Sequence, residues 1–317
     1  MVKPDPAMEP FSALAETDRR AMHALGPRWG EDIVRNRKMV VDAYTPIAAA
    51  APKLAAVERD VRYGPHARHT LDIFLPPASV HEHGDGALRD AVVFVHGGAF
   101  VRGNKSVNGE IYDNVCHWFA NQGVVAFNIE YRLADEAPYP GGAQDVADAL
   151  VFVRGLASHT RFDPRRIFVI GHSAGGAHAA AYLFDPALAG RVGETDVAGL
   201  VLISARVVAD VRPGNPNAQP VRTYFGADES LYAARSPLTH VTRSSVPLMI
   251  AVAEYENPYL DEYGAQMFVD VLRHRGVPPR FVQLRGHNHT SIVAHFNSGE
   301  TYLGSEILAF LASVPRG

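Results

Sequence analysis

From residue 91 onward, apolar runs recur without strict alternation: AVVFVHGG at 91–98, GVVAFNIEYR at 123–132, RRIFVIGHS at 165–173, AGLVLISA at 198–205, VPLMIAVAE at 246–254 and, more weakly, RFVQLRG at 280–286. Strands apolar on both faces belong to a parallel sheet covered by helices on each side. The segments between them, at 108–121, 142–156, 174–185 and 260–276, have the length of crossover helices, and a last one falls at 299–312. The chain therefore reads as β-α-β units with right-handed crossovers. Upstream, VERDVRYG at 57–64 and HTLDIFLP at 69–76 form a short strand pair, the second alternating at Leu71, Ile73 and Leu75. Residues 77–90 read as a polar, glycine-containing loop. The sum is about eight strands in one α/β domain over 57–317.

The front of the chain follows a helical period instead. Leu14, Met22 and Leu25 mark one stretch, and Ile33, Met39, Val40 and Tyr44 a second, with Pro46 and Pro52 expected to close it. Two segments do not fit the minimal sheet: this front, residues 1–56, and residues 206–245, rich in Pro, Asn, Arg and Ser. Both are expected to cap the C-terminal ends of the strands, where open α/β sheets bind ligands. The stretch Met1–Phe11 lacks the apolar core of a targeting segment. No run approaches the roughly 20 apolar residues of a membrane span. A cytoplasmic location without a membrane partner is the expectation.

Composition narrows the chemistry. Across 317 residues, 30 Lys and Arg stand against 34 Asp and Glu, which offers no basic field for nucleic acid. A single cysteine, Cys116, excludes an intrachain disulfide and a cysteine-built metal centre. Lying in YDNVCHWFA, it reads as a buried small hydrophobe.

GHSAGG at 171–176 lies where an apolar strand gives way to a helix start, AHAAAYLF. A serine between glycines at such a turn is held exposed in a strained conformation, which marks Ser173 as the candidate nucleophile. A dinucleotide fingerprint would need glycine in place of Ser173, and a phosphate loop would need Gly-Lys followed by Ser or Thr; neither fits. HGGAF at 96–100 ends another strand. Backbone amides at Gly97 and Gly98, with that of Ala174 after the nucleophile, are the candidate oxyanion donors. His96 is expected to organise that loop rather than to carry a proton.

A serine nucleophile needs a base and an orienting acid, in chain order Ser, Asp or Glu, His. Only His287 and His289 follow a strand end; His178 lies one turn into the nucleophile helix, and His274 in a surface stretch. His289 precedes Thr290 and Ser291, where a short helix can fix its loop. The His-x-His pair resembles a metal motif but lacks a third ligand at suitable local spacing, so no metal or cofactor is expected. For the acid the choice is Glu254 or Glu256, and the residue beyond the strand end, Glu256, has the better reach.

The motifs HGGAF, EYRLADEAPYP at 130–140, FDPRRIFVIGHSAGGAH at 162–178, Ser236–Pro237, AEYENP at 253–258 and GHNHTS at 286–291 resemble the α/β-hydrolase superfamily. Within it, the chain is similar to the hormone-sensitive-lipase-like carboxylesterases and the arylformamidase (kynurenine formamidase) group. The resemblance runs from about residue 57 to the end. It implies an α/β-hydrolase fold and a catalytic triad of Ser173, Glu256 and His289. Gly97, Gly98 and Ala174 would form the oxyanion hole. The activity implied is cleavage of a small-molecule ester through an acyl-enzyme. An arylformamidase and a non-catalytic small-molecule-binding member are the alternatives. A homodimer is the family-like expectation. Two features depart from the pattern: the acid position usually holds aspartate, and the carboxylesterase branch usually carries GDSAGG where this chain has His172. Tyr131 and Arg132 are expected to brace a strand end, and Asp145, which precedes the nucleophile, to anchor a loop.

Overall fold

The structure, a computed structural model, describes residues 9–78, 88–191 and 196–316. Residues 1–8 of the front segment and 79–87 of the expected polar loop lie outside the described residues. The chain opens with helices α1 (Glu16–Leu25) and α2 (Ile33–Ala50), joined by a 3-10 turn. Strands β1 (Ala56–Arg62), β2 (Thr70–Leu75) and β3 (Arg89–Val95) follow. Then come α3 (Asp113–Asn121), β4 (Val125–Ile129), α4 (Gly141–Gly155) and a short α5 (Ala157–Thr160). The middle of the chain builds β5 (Phe162–His172), α6 (Ala174–Phe184), β6 (Gly199–Ile203), α7 (Ala218–Phe225) and α8 (Tyr232–Arg235). It closes with β7 (Leu248–Tyr255), α9 (Leu260–Arg275), β8 (Arg280–Asn288), α10 (Ser291–Ala294) and α11 (Tyr302–Ser313).

The eight strands form one sheet in the order β1-β2-β4-β3-β5-β6-β7-β8. The β1–β2 and β2–β4 pairs are antiparallel, and all other neighbours are parallel. The unbroken apolar runs are explained by their two faces. Ala91, Val93 and Val95 of β3 enter one core with Ile167 and Val169 of β5. Val92 and Phe94 enter the opposite core with Phe168 and Ile170. A residue slipped by one position would exchange these sets, so both faces hold the register.

The front segment builds a third cluster, in which Phe11, Leu14, Met22, Trp29, Val40 and Tyr44 meet Ile111 and Ala294. Of the two prolines expected to close it, only Pro52 does: α2 runs through Pro46 and ends at Ala50, with Ala51 as its C-cap. Proline removes one helical hydrogen bond, yet Tyr44 and Ala48 on either side are buried and hold the helix together. The 206–245 segment contributes Val221, Tyr224, Phe225 and Tyr232 to a fourth cluster, against Phe100 and the start of α6. No helix among the described residues is long and apolar enough to cross a membrane.

Candidate active site

Loops leaving the C-terminal ends of β3, β5, β6, β7 and β8 meet at one place. Ser173 follows β5 with φ 55° and ψ −118°, a conformation that L-residues rarely adopt and that costs roughly 1–3 kcal/mol. The turn closes because glycines flank it. A Cβ at Gly175 would stand 2.2 Å from the Val95 carbonyl oxygen, and one at Gly171 would stand 2.6 Å from the Gly176 Cα. The Ser173 amide donates to the Ile203 carbonyl at 3.0 Å, and the Arg206 amide donates to the Ser173 carbonyl at 3.1 Å, so β6 clamps the turn.

His289 and Glu256 converge on that serine. His289 Nε2 lies 3.0 Å from Ser173 Oγ, and His289 Nδ1 lies 2.8 Å from Glu256 Oε2. A carboxylate only accepts, so Nδ1 carries the ring proton and Nε2 presents its lone pair to the serine hydroxyl. The other Glu256 oxygen accepts from the Ala253 amide at 2.8 Å and from the Ser204 hydroxyl. That double tether folds back the glutamate arm that stands where aspartate is usual. Glu254 is exposed and accepts from the Gly286 amide at 2.6 Å, away from the imidazole. His287 also turns elsewhere: Nδ1 lies 3.2 Å from Ser291 Oγ and Nε2 lies 3.3 Å from Glu300 Oε2. Glu300 in turn accepts from the Phe11 amide at 3.0 Å and the Tyr44 hydroxyl at 2.8 Å, which ties the front segment to the loop bearing His289.

Gly97, Gly98 and Ser173 line a common cleft, with Ala174 buried directly behind. As the first residue of α6, Ala174 has no intrahelical acceptor for its amide. Gly98 has φ 154°, and a Cβ there would stand 1.8 Å from the Arg102 carbonyl oxygen, so the loop tolerates only glycine. His96 is wholly buried between the Gly97 carbonyl, 2.8 Å from Nδ1, and Glu130 Oε1, 2.7 Å from Nε2. Burial would raise the Glu130 carboxyl, but His96, Arg68 and the Lys105 amide outweigh it and hold it below the usual range. Tyr131 stacks on His96 at 4.3 Å and donates to its carbonyl at 2.9 Å. The Gly97–Gly98 loop thus hangs from the buried hydrogen bond between His96 and Glu130.

His172 is packed against His289, with ring centroids 4.9 Å apart. Its Nε2 donates to the His289 carbonyl at 3.0 Å, leaving Nδ1 to accept from Tyr112 Oη at 3.3 Å. Burial first, and then the neighbouring His289, push the His172 pKa well down, so the ring stays neutral beside the His289 imidazole. His178 points away from the cleft into a nest of Phe100, Tyr131 and Tyr224 rings, and burial lowers its pKa to about 3. Asp145 is buried and grips Arg132 through the backbone amide at 2.8 Å and Nη2 at 2.6 Å. Cys116 is buried in α3, and burial pushes its thiol well up.

The cleft measures about 330 Å³. Trp29, Ile33, Val34, Arg37 and Val41 of the front segment line one side, and Pro216 and Asn217 of the 206–245 segment add to it. Trp29 is pinned by its Nε1, which donates to Asn257 Oδ1 at 2.9 Å. Sequence reasoning missed Glu130, Ser204 and Tyr112. Glu130 sits beside the two residues expected to brace that strand end. Ser204 directly follows β6 with φ 49°, a strain visible only in three dimensions.

The BD-FAE family model matches residues 71–258, more than half of the chain. The chain belongs to the BD-FAE family. Among curated proteins, this BD-FAE chain is 32% identical over 139 residues to a probable isoprenylcysteine alpha-carbonyl methylesterase of Arabidopsis thaliana, covering 44% of the chain and 31% of that protein. It is 34% identical over 128 residues to the carboxylesterase NlhH of Mycobacterium tuberculosis, covering 39% and 36%. These matches span about a third of each relative's length. An esterase structure from Pyrobaculum calidifontis superposes with a TM-score of 0.70 at 25% identity, covering 95% of this chain and 100% of that one. A bacterial heroin esterase gives 0.69 at 20% identity, covering 97% and 100%. The fold is the α/β-hydrolase fold.

Proposed function

We propose that the chain is a serine carboxylic-ester hydrolase acting on small esters through an acyl-enzyme. The observation that carries this reading is the relay from Glu256 through His289 to Ser173, with contacts of 2.8 and 3.0 Å. His289 Nε2 takes the Ser173 proton as Oγ bonds to the ester carbonyl carbon. The negative charge that develops on the carbonyl oxygen is received by the amides of Gly98 and Ala174, with Gly97 beside them. Preorganised donors of this kind are worth roughly 3–4 kcal/mol each in the transition state. Glu256 holds the imidazolium, which returns the proton to the departing alcohol. Water, deprotonated by the same His289, then attacks the acyl carbon and releases the acid and free Ser173. A neutral His172 suits this cycle, because a charged ring packed against His289 would oppose its protonation. The segments 1–56 and 206–245 act as caps that choose the substrate, since Trp29, Ile33, Val34, Arg37 and Val41 of the first and Pro216 and Asn217 of the second line the cleft.

The esterase names of the relatives support the same reaction class. The test is labelling with a fluorophosphonate followed by peptide mass analysis, alongside hydrolysis of short p-nitrophenyl esters. Wild type is expected to gain one adduct on Ser173, and Ser173→Ala neither the adduct nor turnover. Wild-type protein without an adduct overturns the reading. A formanilide panel in the same assay separates ester from formamide cleavage.

A further inference from the structure

The cleft over Ser173 is lined by two arginines, Arg37 from α2 and Arg102 from the turn after Gly98, and by no aspartate or glutamate among the described residues. Arginines elsewhere in this chain are commonly matched: Arg132 with Asp145, Arg166 with Asp90, Arg280 with Glu306, Arg68 with Glu130. Arg37 and Arg102 have no carboxylate within 4.0 Å among the described residues. Both are exposed at the cleft rather than buried beneath it. Their fields meet. Burial, and then the charge of Arg37, lower the Arg102 pKa; across the cleft burial raises Tyr112 with Arg37 partly offsetting it, and Arg37 adds a minor lowering to His172 behind burial and His289. Two guanidiniums from separate elements thus face one space without a counter-charge among the described residues, in a protein whose net charge is −4.

We propose that Arg37 and Arg102 are specificity-determining residues that select an ester carrying its own anionic group, a carboxylate in the first instance. This rests on the ester-hydrolase reading above and names its substrate class. A guanidinium presents a planar fork that matches a carboxylate in two parallel hydrogen bonds, and it stays charged throughout the working pH range. Asn104, Asn217 and Asn257 line the same cleft and supply neutral polar contacts. Ile33, Val41 and Ile111 give the rest of the substrate an apolar wall. The cleft would accordingly take a molecule with one charged end and an apolar body, its ester carbonyl over Ser173.

The experiment compares matched pairs of esters that differ only in charge. One pair carries the anion on the acyl side, p-nitrophenyl hydrogen adipate against its methyl-capped p-nitrophenyl methyl adipate. The other carries it on the alcohol side, 4-acetoxybenzoate against methyl 4-acetoxybenzoate. For wild type, kcat/KM for the anionic member is expected to exceed that of its neutral partner at least tenfold in one pair, through a lower KM. Which pair responds assigns the anion to the acyl or the alcohol side. The preference should shrink several-fold between 20 mM and 500 mM salt, as screening of exposed charges requires. In Arg37→Gln/Arg102→Gln the anionic-to-neutral ratio should fall to near one, and Arg37→Lys should recover part of it. Equal turnover of anionic and neutral esters by wild type in both pairs overturns the proposal. So does a preference that survives the double substitution. If no ester is turned over and Ser173 takes no fluorophosphonate, the hydrolase reading itself has failed, an outcome separate from either.

Discussion

Replacing Glu256 by glutamine changes one oxygen for one nitrogen and should nearly stop the reaction. One carboxylate oxygen accepts from His289 Nδ1 at 2.8 Å, while the other accepts from the Ala253 amide at 2.8 Å and the Ser204 hydroxyl. Glutamine keeps only one acceptor oxygen. If it serves the Ala253 amide, the NH₂ faces Nδ1, and the imidazole must carry its proton on Nε2. It then cannot accept from Ser173. If the oxygen serves the histidine instead, two donors confront each other at Ala253. The first arrangement keeps the loop intact and is the expected one. A wrong tautomer costs about 10⁴ in kcat in serine hydrolases with an aspartate at this role, and 10³–10⁴ is about 4–5.5 kcal/mol of transition-state stabilisation. The loss of folding stability should be smaller, about 1–2 kcal/mol for one weakened charge-assisted bond. The assay is kcat on p-nitrophenyl butyrate with thermal melting on the same samples, and Glu254→Gln is the control. A Glu256→Gln kcat within threefold of wild type, with an unchanged melting curve, would refute the reasoning.

Three further outcomes are expected. Gly98→Ala must displace the Arg102 carbonyl, 1.8 Å from the new Cβ, and should lower kcat about 10²-fold, as the loss of one oxyanion donor does; a wild-type kcat would remove Gly98 from the oxyanion loop's requirements. Stability should fall as the solution is acidified below about pH 6.5. Burial keeps His172 neutral and lowers His178 to about 3 and His117 and His295 to about 4, so the unfolded chain takes up protons that the folded chain refuses. Each such proton is worth about 1.4 kcal/mol per pH unit. Asp113, raised by burial to about 6, works in the opposite direction and offsets one of the four. A melting temperature that stays flat from pH 7 to pH 5 would contradict this account. Finally, Glu300→Gln weakens its bonds to Phe11, Tyr44 and His287 and should cost roughly 2 kcal/mol in urea unfolding; an unshifted urea midpoint would argue that the front segment is held by packing alone.

The sheet was legible because each strand needs two buried faces, and runs such as AVVFV and RRIFVI carry that requirement openly. Ser173 and the glycines around it were legible for a related reason: backbone crowding at a sharp turn leaves few residue types. The pairing of His289 with Glu256 needed strand ends to be placed first, and the pattern of apolar runs supplied them. Other parts were hidden because their cause is tertiary. Pro46 reads as a helix end until Tyr44 and Ala48 are seen to be buried. Glu130 and Ser204 are ordinary polar residues in the chain, and only the sheet brings them under His96 and Glu256. Arg37 and Arg102 lie 65 positions apart, by subtraction of their numbers, and face one cleft only because α2 packs over the loop after β3.

The Glu300 carboxylate bears on how such proteins are remodelled. It is a keystone shared by two parts that an engineer would treat as separate modules, the front helices and the turn that holds the His289 imidazole. A transplanted front segment without a hydroxyl at the place of Tyr44 and an amide at the place of Phe11 would strand that carboxylate against His287. The damage would then surface as a slow enzyme rather than an altered preference. Grafts that keep those two donors, keep Trp29 on Asn257 and vary only Ile33, Val34 and Arg37 are the ones in which selectivity and turnover are expected to change independently.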